Sequence, residues 1–223
     1  MCVRACLFLR LLVPLIPAGA SCADFRSELQ SARELLVQAS VTKAENQEAV
    51  CDALESMEQN MRKLCKEDPS EAAKVRENLN GSWRLIFTTG TKETQKKWGR
   101  KVSYFPLKAT QTFDTTTMAI TNGIYVGDVA VMKFFGDFEF DLDRRKLEFD
   151  FDAIALFGFK INLPKGKAAE LGSATGLGSS NNVDMVQRQG KKPFFNWISA
   201  DEEIATARGG GGGLALWRRC DDV

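Results

Sequence analysis

The sequence predicts a mainly β protein with N-terminal helices: an antiparallel sandwich or closed barrel preceded by two or three helices. Three observations carry this reading. Apolar residues recur at helical spacing before residue 79, the period changes to two after Ser82, and turn-forming clusters punctuate the second region at close intervals. With 223 residues and 44% hydrophobic composition, the chain can bury a sizeable core in one domain, or one domain plus a small appendage. It contains no His. That removes Ser-His-Asp and Cys-His nucleophiles, His-ligated metals and imidazole acid–base chemistry. A formal net charge of +1 gives no global attraction to nucleic acid. Composition therefore favours a binding or structural protein, and leaves carboxylate, Cys, Ser or Lys chemistry open.

Residues 1–23 have the order of a targeting segment. Arg4 is followed by the apolar stretch Ala5–Ile16 and then by small residues, with Ser21 and Ala23 suited to a cleavage site. The run is too short for a spanning helix, which needs about 20 apolar residues. Cleavage removes Arg4, Arg10 and three of the cysteines. Cys51, Cys65 and Cys220 remain, an odd number with no C-x-x-C. This is neither a disulfide framework nor a zinc site. Residues 14 apart on one helix lie about 21 Å apart, so Cys51 and Cys65 read as ordinary thiols.

Residues 24–79 are expected to be helical and to pack on the β body. Phe25, Leu29, Ala32, Leu36 and Ala39 form one apolar stripe, and Val50, Leu54, Met57, Met61 and Leu64 another. The Met residues read as core. A third, short helix starts with Asp68 as cap, Pro69 at the first position and Glu71 three residues after Asp68.

Residues 80–223 form the expected β body. The strongest hairpin is Phe138–Asp143 followed by Leu147–Asp152, turning through Asp143–Lys146. Its Phe residues fill one face and its acids the other. Further strands are expected near 83–89, 102–105, 108–114, 117–125, 126–134, 154–162, 194–199, 202–207 and 214–218. Asn122-Gly123 and Gly136-Asp137 read as turn signals between some of them. A closed barrel is attractive because it leaves no unpaired edges. Residues 164–193 lack both periods, are rich in Gly and Ser, and read as a flexible loop.

Four features invite chemistry. The acidic row Asp137, Glu139, Asp141, Glu148, Asp150 and Asp152 could bind a cation or act as acid and base, but regular alternation is what a solvated outer face requires. Lys92, Lys96, Lys97, Arg100 and Lys101 surround Trp98, which suits either an exposed loop or contact with an anionic membrane. Gly209–Gly213 lacks the strand, helix and G-K-[ST] of a phosphate loop and reads as a floppy hairpin connection. Finally, Trp83 follows Gly81 on the first strand, and Arg208 lies late in the chain. A guanidinium stacked on such a Trp closes the end of a small barrel.

At this point a resemblance can be drawn. Leu79-Asn80-Gly81-Ser82-Trp83-Arg84-Leu85-Ile86-Phe87-Thr88-Thr89 resembles the L-x-G-x-W-x-L-[LI]-[YF]-T motif of the plastid lipid-associated proteins, or plastid fibrillins. Leu35-Leu36, Ala53-Leu54-Glu55 and Asp68-Pro69 are similar to that family's helical prelude. Asp201–Gly209 resembles its closing pattern D-[DE]-x-[LI]-R-[IV]-[AS]-R-G, with Ala205 in place of the first Arg and Gly210 where Asp or Asn is common. The likeness spans about residues 29–218.

The resemblance implies a lipocalin-like antiparallel barrel in a plastid (chloroplast), at plastoglobules, thylakoids or stroma. It implies a protein that holds carotenoids, fatty acids or prenyl lipids; the alternative is a structural lipid-droplet or membrane coat protein without an internal ligand. The N-terminal signal would suit a plastid reached through the secretory system. Trp83, Phe87, Phe138, Phe140, Phe149, Phe151 and Arg208 are expected to bind ligand or close the barrel, and Lys96, Lys97, Trp98, Arg100 and Lys101 to contact membrane. No catalytic residue, cofactor, metal or nucleic-acid partner is expected.

Overall fold

The computed structural model describes residues 22–92, 95, 96, 103–164 and 192–221. The targeting segment up to residue 21 and loop residues 165–191 lie outside them. Three helices come first: α1 (Cys22–Thr42), α2 (Gln47–Glu67) and α3 (Ser70–Asn78). Lys43, with φ 53°, ends α1 in the left-handed conformation usual after a helix. Asn46 then starts α2, its Oδ1 accepting from the backbone N–H of Glu48 at 2.9 Å and Ala49 at 3.1 Å. α3 starts at Ser70 with Pro69 at the N-cap position; Asp68 accepts from Ser70 N at 2.9 Å and Ser70 Oγ at 2.6 Å, while Glu71 turns to Lys74 at 2.6 Å instead of back to Asp68.

Ten strands follow among the described residues: β1 (Gly81–Thr88), β2 (Ser103–Tyr104), β3 (Lys108–Asp114), β4 (Ala119–Val126), β5 (Val129–Asp141), β6 (Lys146–Leu156), β7 (Phe159–Asn162), β8 (Phe194–Ala200), β9 (Ile204–Gly209) and β10 (Leu214–Cys220). All pairings are antiparallel. The chain passes up and down through β1, β3, β4, β5, β6, β8, β9 and β10, and β10 pairs back to β1. This is a closed ring of the up-and-down, lipocalin-like kind. β2 extends the β1 edge, and β7 pairs with the far half of β6. The β6–β8 seam is short, Lys146–Glu148 against Phe194–Asn196, so β7 takes over where β8 leaves off.

Two of the expected turns are strand interiors instead. Asn122-Gly123 lies within β4, where Gly123 leaves room for the Tyr125 ring: a Cβ there would stand 2.6 Å from it. Gly136 lies within β5 at a bulge against β6, where a Cβ would stand 1.8 Å from the Asp150 carbonyl oxygen. These glycines admit close approach rather than reversal. The expected strands 126–134 and 138–143 are therefore one continuous β5.

Paired residues in an antiparallel ladder share a face, so the register identifies the interior. Phe113 on β3 meets Trp197 on β8, its diametric opposite in the ring, with centroids 5.5 Å apart. That contact crosses the barrel. The other face of β8, β9 and β10 carries the helices: Arg208 reaches Glu58 of α2, and Arg218 donates to Ser40 of α1 at 3.3 Å. Leu36, Leu54, Met57 and Leu216 are buried between the layers, each side chain contributing about 1.5–3 kcal/mol of transfer free energy.

Candidate functional site

The barrel interior brings together most of the aromatic residues that the sequence marks. Trp83 is fully buried at the end where β1 begins, and its Nε1 donates to Leu79 O at 2.8 Å. The guanidinium above it belongs to Arg219, 4.2 Å from the ring centroid, not to Arg208. Strand parity decides this. Trp83 pairs directly with Arg219 in the β1–β10 ladder, so both project inward. Arg208 lies between inward-facing Ala207 and Gly209 and projects outward, where its Nε donates to Glu58 Oε1 at 2.9 Å and its Nη2 to Oε2. Gly81 is needed here twice over: its φ is 110°, and a Cβ would stand 2.9 Å from Arg219 Nη1.

Arg219 also closes the end of the barrel to the rest of the molecule. It donates to the carbonyls of Asn78 at 2.5 Å, Asn80 at 2.8 Å, Asp201 at 3.1 Å and Glu202 at 3.1 Å. One side chain thereby ties the α3–β1 junction to the β8–β9 turn.

Phe138, Phe149 and Phe151 are buried on the inner face, with Phe138 paired to Phe149. Phe140 shares that face, paired with Leu147, and is half-buried. Phe87 does not join them. The register slips between Leu85 and Phe87, so Phe87 pairs with outward-facing Leu216 and stacks edge-on with Tyr104 at 5.2 Å. It belongs to the layer between barrel and helices.

Sequence reading missed two aromatics at the centre of the interior. Trp197 of β8 and Trp217 of β10 approach to 5.1 Å across the intervening strand. They can do so because β9 offers only Ala205 and Ala207 beneath them, each 0% exposed. Ala205, where the family pattern has Arg, thus gives up a charged inward position to two indole rings. The period-two positions in 194–199 and 214–218 were the signal for both Trp.

The interior is not wholly apolar. Trp83, Gln111, Asn122, Phe134 and Ile154 form one belt across β1, β3, β4, β5 and β6. Gln111 Oε1 and Asn122 Oδ1, side by side in this belt, have no hydrogen-bond partner among the described residues, nor does Trp197 Nε1. Two acceptors and one donor thus lie among the interior aromatics without partners among the described residues. Leu85, Met132, Phe195 and Ala215 on the same inner face are only partly buried. These partly exposed apolar side chains and unpartnered polar atoms offer apolar contact and hydrogen-bonding groups on one face.

The acidic row lies outside, as alternation requires. Glu139 receives Lys192 at 2.8 Å, and Glu148 receives Lys146 at 2.6 Å. The hydrogen bond and charge of Lys192 hold the Glu139 carboxyl below its usual range. No group of metal-ligating side chains occurs among the described residues. Burial pushes the Cys65 thiol up, although Arg145 opposes this. Of the basic cluster, Lys92 and Lys96 are exposed; Lys97, Trp98, Arg100 and Lys101 lie outside the described residues. The glycine run is a hairpin connection but an anchored one: Lys92 N donates to Gly211 O at 3.2 Å, Arg208 Nη1 to Gly212 O at 2.6 Å, and a Cβ on Gly213 would stand 2.2 Å from Gly90 O.

Comparison with solved structures finds a lipocalin-like protein from Bacteroides uniformis, at 12% identity and a TM-score of 0.37, covering 64% of this chain and 99% of that one. An uncharacterized protein from Bacteroides eggerthii gives the same identity, TM-score and coverage. A protein from Burkholderia xenovorans matches at 13% identity and a TM-score of 0.36, covering 68% of this chain and 89% of that one. No curated protein matches the sequence. The model of the PAP/fibrillin family, which is plastid-associated, matches residues 26–216. That span holds the G-x-W strand start, nearly all of the helical prelude and every barrel strand but the last residues of β10, and the chain belongs to the PAP/fibrillin family.

Proposed function

We propose that this protein holds an apolar small molecule inside its barrel, in a plastid, and works by binding rather than by catalysis. The observation that carries the reading is the composition of the inner face. Trp83, Trp197, Trp217, Phe138, Phe149 and Phe151 give it an aromatic character, while Gln111 Oε1 and Asn122 Oδ1 on the same face have no hydrogen-bond partner among the described residues. Leaving a buried acceptor unsatisfied costs about 1–3 kcal/mol, so a ligand carrying a hydroxyl or other donor on an apolar body gains there. Carotenoids with hydroxyl end groups, hydroxyl-bearing prenyl lipids and fatty acids bound in the protonated form have that chemistry. Family and fold both suggest lipid association and are generally non-enzymatic. Plastoglobules and thylakoids, both rich in such lipids, are the proposed locations.

The direct experiment is mass spectrometry of lipid extracted from purified protein, paired with titration of the delipidated protein with a fluorescent polyene fatty acid. Energy transfer from the interior Trp residues should rise saturably, and Gln111→Leu with Asn122→Leu should weaken hydroxylated ligands more than plain hydrocarbons. No extractable lipid together with no transfer would sink the proposal.

A further inference from the structure

The rim of the barrel opposite Trp83 has an unusual surface. Here the β4–β5 turn and the β6–β7 turn stand side by side, joined through the Met132–Leu156 pair and the Phe157 N to Val131 O hydrogen bond of 3.2 Å. Their tips expose Val126 by 64%, Val129 by 63%, Phe157 by 73% and Phe159 by 79%. Four large apolar side chains in one patch are uncommon on a solvated surface.

The turn chemistry sharpens the point. Phe157-Gly158 is a two-residue connection with φ of 48° and 89° at the two positions. A connection with both φ positive favours Asn-Gly or Asp-Gly, because a bulky side chain is strained in the left-handed region. Phe157 therefore costs the fold something and gains little from packing. An exposed residue that works against its own turn points to a role outside the fold.

Cations frame the same rim. Lys133 and Lys160 flank Ala155 on the outer face of β5–β6–β7. Lys160 lies 4.5 Å over the Phe135 ring, and Lys108 lies 5.2 Å over Tyr125. The one acid at these tips, Asp128, is paired with Lys108 at 3.3 Å. Lys92 and Lys96 are exposed at this end too, beside the Gly209–Leu214 turn. The opposite end has a different character: its turns carry charges of both signs, Asp143 beside Arg144 and Glu203 paired with Arg33 at 3.0 Å.

We propose that this rim docks on an anionic lipid surface, with Val126, Val129, Phe157 and Phe159 entering the headgroup boundary and Lys108, Lys133 and Lys160 meeting the headgroup charge. Apolar insertion and surface charge act together in such binding, each basic residue near the surface adding to it and salt weakening it. The geometry deepens the proposed function, since docking sets the barrel mouth against the lipid from which an apolar ligand would come. It rests on that reading only for this consequence.

The experiment is flotation of the full chain with vesicles of phosphatidylcholine alone and of phosphatidylcholine with phosphatidylglycerol. The wild type should float with the anionic vesicles and lose binding as salt rises. Phe157→Asn with Phe159→Thr should reduce binding about tenfold or more, yet leave the melting temperature unchanged or higher, because Asn suits the turn and Thr the strand. Lys133→Glu with Lys160→Glu should reduce it by a similar factor. Uptake of the polyene fatty acid without vesicles should persist in both variants, which separates failure of docking from failure of ligand binding. The proposal is overturned if wild type ignores anionic vesicles, or if both variants float like wild type. It is equally overturned if the Phe substitutions instead dissolve a dimer in sedimentation while no vesicle binding exists.

Discussion

Arg219 and Trp83 face each other across the β1–β10 ladder, and the guanidinium carbon stands 4.2 Å from the centroid of the indole. The same guanidinium holds four backbone carbonyls from two separate junctions. A planar fork is suited to this, whereas an ammonium group, although it can sit over a ring, cannot stack flat on the indole and reach four separated acceptors at once.

Arg219→Ala should therefore destabilise the protein by about 2–4 kcal/mol, the sum of a partly exposed cation–π contact and hydrogen bonds from a charged donor. Arg219→Lys should recover less than half of the loss. Urea denaturation followed by Trp fluorescence measures both. A Lys variant as stable as wild type would remove the stack and the fork from the account.

The Glu58–Arg208 pair joins α2 to β9. Burial resists the charge on Glu58, but Arg208, with help from Arg62, holds its carboxyl below the usual range. A depressed carboxylate contributes stability that is full above its unfolded pKa, about 4.3, and is lost as pH falls through the folded value. Glu58→Gln should cost about 3 kcal/mol near neutral pH, the low end for breaking a buried pair because Arg208 keeps partial exposure. The gap between wild type and variant should close in acid, wild type falling faster. Melting temperatures from pH 7 down to pH 3 test the sign.

Gly136 and Gly209 offer a paired test of close packing. A Cβ at Gly136 meets a backbone oxygen at 1.8 Å, while one at Gly209 finds nothing nearer than 3.8 Å. Gly136→Ala should cost more than about 3 kcal/mol or abolish soluble expression, since backbone must shift to relieve the overlap. Gly209→Ala should stay within about 1 kcal/mol of wild type. Equal effects at the two sites would remove the bulge as the reason for Gly136.

Replacing Asn122 by Leu removes one of the unpaired acceptors inside the barrel. The unliganded protein should gain about 1–2 kcal/mol, while affinity for a hydroxylated apolar ligand falls relative to its hydrocarbon analogue. A loss of stability would show that the amide already has a partner.

Much of the architecture was legible in the chain. Helical spacing up to residue 79 and the alternation around Phe138–Asp152 are local consequences of burying one face, so they survive in the sequence without knowledge of partners. The aromatic inner face and acidic outer face of β5 and β6 follow from that rule alone. So did the start of β1 at Gly81-Ser82-Trp83.

What the tertiary structure decided was parity and register. Arg208 and Arg219 are both late arginines, and nothing local says which one meets Trp83. Pairing β10 to β1 sets Arg219 opposite the indole and sends Arg208 outward to Glu58. A slip after Leu85 likewise turns Phe87 away from the interior. A one-residue shift in a ladder moves a side chain to the other face. The slips here depend on glycines and bulges whose meaning is the distance to another strand. The sequence by itself determined that an antiparallel β body with one mainly apolar face, sandwich or barrel, would follow a helical prelude. Only closure of the ring determined which side chains look into it, because that depends on contacts between strands far apart in the chain.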